Sequence, residues 1–148
     1  MKTVTSKDGT AIAFDRSGDG PPLVVVGGAL STRGAAEPLA GLLAPSFTVY
    51  AYDRRGKGDS GDTPPYAVER EVQDIQALVE DAGGSAFAFG HSSGGALALE
   101  AAAHTLGITK LAVYEPPFIV DASRPPLPDD FIERLTELSS TGRRGDRR

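Results

Sequence analysis

The sequence predicts an α/β protein: a mostly parallel sheet with helices on both faces. Three observations carry that expectation. From residue 23 onward, short apolar runs alternate with segments of helical pattern, the order that parallel strands joined by crossover helices require. The run 23–26, Leu-Val-Val-Val, is continuously apolar rather than alternating, as a strand covered on both faces is. Val68, Val72, Ile75 and Val79 recur at i, i+4, i+7 and i+11, one stripe of a 3.6-residue period.

Taken in order, residues 3–5 and 11–14 flank Asp8-Gly9 and read as a hairpin of two short strands. Residues 17–22 are a turn cluster, and 23–26 is the first parallel strand. Residues 35–43 are a short helix ended by Pro45, and 47–52 is the next strand, followed by a glycine-rich turn over 53–61. The helix over 67–81 stops at Gly83-Gly84. A strand over 87–89 and a helix over 94–106 follow, then a strand over 110–114 closed by Glu115-Pro116-Pro117. Pro125, Pro126 and Pro128 lead into a last short helix, capped by Asp129 or Asp130, with Phe131, Leu135 and Leu138 on one face.

The 148 residues suffice for one domain with a sizeable core. A 40% hydrophobic and 24% charged composition is that of a soluble globular chain. A net charge of −5 leaves no basic footprint for nucleic acid, and Arg143, Arg144, Arg147 and Arg148 read as a solvated end. Without Cys, disulfides and thiolate metal sites are excluded. The N-terminal MKTVTSKDGT lacks an apolar signal core, and no run approaches about 18 apolar residues, so a cytoplasmic chain with no membrane partner is expected. No G-x-G-x-x-G or Gly-Lys-Ser/Thr loop exists for a nucleotide, and two histidines separated by twelve residues do not make a metal cluster. No cofactor is expected.

The chemistry lies in FAFGHSSGG, residues 87–95, where Gly90, His91, Ser92, Ser93 and Gly94 make a Gly-x-Ser-x-Gly frame between a strand and a helix. A turn that sharp needs neighbours without Cβ, and it lifts the serine hydroxyl clear of the sheet beside helix N-terminal amides. Acyl transfer also needs two N–H donors about 3 Å from the developing negative charge. Ser93 can supply one, and the loop Gly27-Gly28-Ala29-Leu30 the other, unless that loop is only a tight strand-to-helix turn.

These segments, in this order, resemble the α/β-hydrolase superfamily. LVVVGGAL resembles its oxyanion strand and loop, with Gly27 where many members carry His; YAYDRRGKGDS resembles the Asp-x-Arg-Gly-x-Gly-x-Ser turn, here Asp53 to Ser60. FAFGHSSGG resembles the nucleophile elbow, and LAVYEPPF the strand after it in small bacterial hydrolases. The resemblance implies Ser92 as nucleophile and the amides of Ala29 and Ser93 as the oxyanion hole. It spans essentially the whole chain but only the N-terminal part of the family fold: residues 1–122 as core, 123–148 as the start of an incomplete helical cap.

The resemblance also implies an acid and then a histidine after later strands. His91, immediately before Ser92, leaves the backbone in another direction and is expected to pack or bond inside the elbow. His104 lies twelve residues along the helix, roughly 18 Å away at 1.5 Å per residue, beyond a base's reach. Glu115 is a candidate acid, since certain haloalkane dehalogenases place theirs after this strand; the alternative is a plain strand-ending turn. Asp53 and Asp59 are assigned to a structural turn. Acid and base are therefore expected outside this segment, in a second polypeptide that also pairs with the open edge at 110–114. The expected activity is hydrolysis of small carboxylic esters or lactones through an acyl-enzyme at Ser92. The alternative is a catalytically inactive binding or interaction module of the same fold.

Overall fold

A computed structural model describes residues 1–104, 107–123 and 125–141. The arginines at 143, 144, 147 and 148, and the expected end of the helix at 105–106, lie outside the described residues. The chain divides into two compact units, Met1–Pro117 and Phe118–Arg148.

The first unit is built on six strands, β1 (Lys2–Thr5), β2 (Ala11–Ser17), β3 (Pro22–Val26), β4 (Thr48–Tyr52), β5 (Ala86–His91) and β6 (Ile108–Tyr114). They lie in the order β1-β2-β4-β3-β5-β6. The hairpin β1–β2 and the β2–β4 pair are antiparallel, and β4, β3, β5 and β6 are mutually parallel. Three helices connect them: α1 (Glu37–Leu43), entered through a 3-10 turn at Arg33–Ala36, α2 (Val68–Asp81) and α3 (Ser93–His104). The expected order of elements and the mostly parallel sheet are both present.

Helices cover both faces, and the apolar run of β3 explains how. Val24 and Val26 point into one core with Ile12, Phe14 and Tyr50, closed by Ile75, Leu78 and Val79 of α2 and Leu97, Ala98 and Ala101 of α3. Leu23 and Val25 point the other way, toward Val49, Phe87, Phe89 and the α1 residues Leu39, Ala40 and Leu43. Each such aliphatic side chain contributes about 1.5–3 kcal/mol when fully buried.

The stripe on α2 holds at three of its four expected positions and departs at the first. Val72, Ile75, Leu78 and Val79 are buried, but Val68 is 43% exposed, and Glu71 and Asp74 are buried in its stead. Carboxylates tolerate that position only because two arginines reach them, as described below.

At the far edge β6 pairs with β5 alone among the described residues. Its Val113 and Tyr114 stand 40% and 56% exposed. The second unit carries α4 (Phe131–Ser140). Among the described residues no helix is long and apolar enough to cross a membrane.

Candidate active site

Strand β5 ends at His91 and helix α3 begins at Ser93, so Ser92 alone makes the reversal. Its φ is 55°, in the left-handed region that non-glycine residues rarely adopt, a strain of about 1–3 kcal/mol. Three hydrogen bonds hold it there. The Ser92 N–H donates to the Tyr114 carbonyl at 2.9 Å, and the Ser92 carbonyl accepts from Gly95 at 2.8 Å and Ala96 at 3.3 Å. The neighbouring glycines are required by space: a Cβ at Gly90 would collide with the Gly94 carbonyl, and one at Gly94 with the carbonyls of Val26 and Gly27. As the first residue of α3, Ser93 has an amide with no acceptor inside the helix, at the positive end of the helix dipole.

The loop after β3 lies against this elbow. A Cβ built on Gly28 would stand 3.6 Å from the Ser92 Cβ and 3.7 Å from His91 Nδ1. The Gly28 carbonyl accepts from the Ser31 amide at 3.2 Å, and Ala29 is exposed.

The turn after β4 proves to be the clamp on both. Asp53 is wholly buried; it accepts from the Arg33 amide at 2.6 Å, from Arg33 Nη1, and from the Asp59 amide at 3.0 Å. Gly58, at φ 51°, passes so close that a Cβ there would strike the Asp53 carboxylate. Arg33 also reaches Asp59 at 2.6 Å and Asp15 at 2.8 Å. The Asp59 hydrogen bond, first among these contacts, outweighs burial and raises the Arg33 pKa further. Asp53 and Asp59 thus sit in a structural turn, and that turn anchors the far end of the loop carrying Ala29.

The next two residues of the turn are arginines with different partners. Arg55 is sealed in the core, bidentate to Asp74 at 2.8 and 2.7 Å and bonded to Asp8 at 2.9 Å. Arg54 is bidentate to Glu71 at 2.6 and 2.6 Å, and the Tyr66 hydroxyl reaches the same carboxylate at 3.0 Å. Burial opposes charge on Glu71, but Arg54 overcomes it and its pKa lies below the usual value. Arg54 Nη1 then points at the site, 3.2 Å from Ser93 Oγ and 3.5 Å from the Gly27 carbonyl. Lys57 Nζ donates to the Ala29 carbonyl. Sequence reasoning did not single out Arg33, Arg54 or Lys57; their only local signal is the density of charge in Asp-Arg-Arg-Gly-Lys-Gly-Asp.

The other residues weighed for the site are placed as follows. His91 packs, but on the outside of the elbow: its ring is exposed and stacked on Tyr114 with centroids 5.8 Å apart. It borders a cleft of about 210 Å³ also lined by Gly27, Arg33, Leu39, Phe89 and Tyr114; Ser92 itself is not among the lining residues. His104 is exposed, with Nδ1 2.9 Å from the Glu100 carbonyl. Glu115 is exposed and has a φ of 49°, a second strained residue directly after the Tyr114 that holds Ser92. Among the described residues no group of three His, Cys, Asp or Glu side chains is placed to hold a metal ion.

Residues 23–147 match the family model described as Alpha/beta hydrolase family. A solved alpha/beta hydrolase from Sphaerobacter thermophilus is 65% identical and superposes with a TM-score of 0.95, over 98% of this chain and 56% of that one. A thermophilic esterase from Thermogutta terrifontis, solved with malate bound, is 26% identical with a TM-score of 0.76, over 97% of this chain and 54% of that one. The N-formylmaleamic acid deformylase of Pseudomonas putida S16 is 25% identical with a TM-score of 0.74, over 95% and 57%. The chain thus spans little more than half the length of each.

Proposed function

The chain belongs to the alpha/beta hydrolase family, and from that premise we propose that it carries the nucleophile and oxyanion hole of a serine hydrolase acting on small carboxylic esters or lactones. The observation that carries this reading is the strained φ of 55° at Ser92, held at a strand-to-helix reversal with the Gly28 loop packed against it. Strain of this kind persists where the surrounding structure holds it, and it presents a side chain that a relaxed turn would lay down. An esterase among the similar structures supports the ester substrate class.

In the proposed mechanism a base takes the Ser92 hydroxyl proton as Oγ attacks the ester carbonyl. The amides of Ala29 and Ser93 receive the negative charge on the tetrahedral intermediate. The alcohol departs with a proton, and water returns along the same path to free the acid and Ser92. The histidine base is assigned outside this segment, on a second polypeptide or a further stretch of chain, and the acid either there or, as the candidate within it, to Glu115. The test is hydrolysis of short-chain nitrophenyl esters by the full-length protein: the reading expects turnover, with kcat lost by about 10⁴-fold or more in Ser92→Ala. Undiminished turnover in that variant would overturn it.

A second reading, an inactive binding module, rests on one observation. Neither histidine of the chain bonds to Ser92: His91 stacks on Tyr114, and His104 turns to Glu100. It predicts no ester turnover.

A further inference from the structure

The three carbonyls of the loop beside Ser92 are each held by a different donor. Gly27 is held by Arg54 Nη1 at 3.5 Å, Gly28 by the Ser31 amide at 3.2 Å, and Ala29 by Lys57 Nζ. A trans peptide is planar, with its N–H directed opposite to its carbonyl. Fixing the Gly28 carbonyl therefore fixes the direction of the Ala29 N–H, and fixing the Ala29 carbonyl fixes the plane on its other side. Arg54 also binds Ser93 Oγ at 3.2 Å, so one guanidinium spans the two backbone segments that the hydrolase reading assigns to the oxyanion hole.

We infer that Arg54 and Lys57 are positioning residues for the oxyanion hole, with Lys57 holding the Ala29–Leu30 peptide, directly after the one that carries the Ala29 N–H, and Arg54 locking the Gly27 loop to the start of α3. This inference rests on the serine-hydrolase reading and adds to it a role for the glycine-rich turn. The two cations differ in kind. Arg54 is paired with the buried Glu71 and serves as a rigid brace. Lys57 makes no ion pair with a carboxylate among the described residues, so its charge stands free beside the loop. Burial first, and then the neighbouring Arg54, lowers its pKa, as expected of an ammonium held there by backbone contact rather than by an anion.

A brace of this kind acts on the transition state and not on ground-state binding. The experiment measures ester kinetics and the rate of inactivation by a fluorophosphonate in full-length protein, for Lys57→Met, Lys57→Gln, Lys57→Arg, Arg54→Lys and Ser92→Ala. Expected for Lys57→Met is a fall of about tenfold in kcat and in inactivation rate, with KM within about twofold, below the full loss of an oxyanion donor. Lys57→Arg should restore most of it, and Lys57→Gln, a donor without charge, should fall between. Arg54→Lys, which keeps charge but loses the bidentate fork to Glu71, should lower kcat without raising KM. Wild-type kcat in both Lys57→Met and Lys57→Gln, with Ser92→Ala inactive, would overturn the inference while leaving the hydrolase reading standing. A rise in KM alone would make Lys57 a substrate contact and overturn it equally. Activity retained in Ser92→Ala would overturn both.

Discussion

The backbone N–H of Ser92 donates to the carbonyl of Tyr114 at 2.9 Å. This bond ties the elbow to the last strand of the sheet, and it also engages the amide nearest the hydroxyl. In the proposed mechanism the donor to the oxyanion is then the next residue, Ser93, whose position at the start of α3 leaves its N–H without an intrahelical acceptor. The same bond makes β6 part of the site's foundation, although β6 sits at the sheet edge.

Glycines in this chain differ sharply in what they tolerate. A methyl at Gly94 would strike the carbonyls of Val26 and Gly27, whereas one at Gly41, in α1, meets nothing within 4 Å. Gly94→Ala is expected to destabilise by about 2–3 kcal/mol through overpacking against backbone. Gly41→Ala should stabilise by about 0.5–1 kcal/mol through helix propensity. Guanidinium chloride unfolding of the two variants checks both signs at once.

The Arg55–Asp74 pair stands with each side chain only 1% exposed, and Asp8 completes it at 2.9 Å. Asp74→Ala leaves a buried guanidinium with half its partners and should cost about 3–5 kcal/mol. Replacing both members with apolar residues of similar volume should cost markedly less. Equal losses in the single and double variants, measured by chemical denaturation, would contradict this.

Acid should unfold the protein through its arginine-bound carboxylates. Asp8 lies below its ordinary 3.8, chiefly through its hydrogen bond from Arg55. Glu71 lies below its ordinary 4.5 because Arg54 outweighs burial. Lowered values mean stability that is complete above the ordinary pKa and lost as pH falls through the lowered one. Asp74 has the opposite sign: burial outweighs Arg55 and raises it, so its contribution is greatest in acid and declines as pH rises through the raised value. Asp15 is lowered too, its burial outweighed by the N-terminus and Arg33, so three such groups against one give a melting temperature that falls below about pH 4. In Glu71→Gln the melting temperature should start lower at neutral pH and depend less on pH through the acid range.

The elements and their order were legible because each is written locally: the apolar run of β3, the period of α2, Gly83-Gly84 after it, and the glycine frame around Ser92. Boundaries moved where pairing extends a strand beyond its apolar letters, as β2 does to Ser17 opposite Val49 and β5 does to His91 opposite Tyr114. The clamp around the site was not legible. Asp53 with Arg33, Arg54 with Glu71 and Arg54 with Ser93 join residues 17 to 39 positions apart. Side chains meeting across such separations leave no periodic trace. The α2 stripe departs from its expected residues at Val68 for the same reason: the burial of Glu71 and Asp74 depends on arginines 17 and 19 positions away.

The proposal that Ser92 is an activated nucleophile is tested by treating the full-length protein with a fluorophosphonate and sequencing the modified peptide by mass spectrometry. One covalent adduct is expected, on Ser92, absent in Ser92→Ala. Labelling that persists in the alanine variant, or an active esterase that leaves Ser92 unmodified, would contradict it.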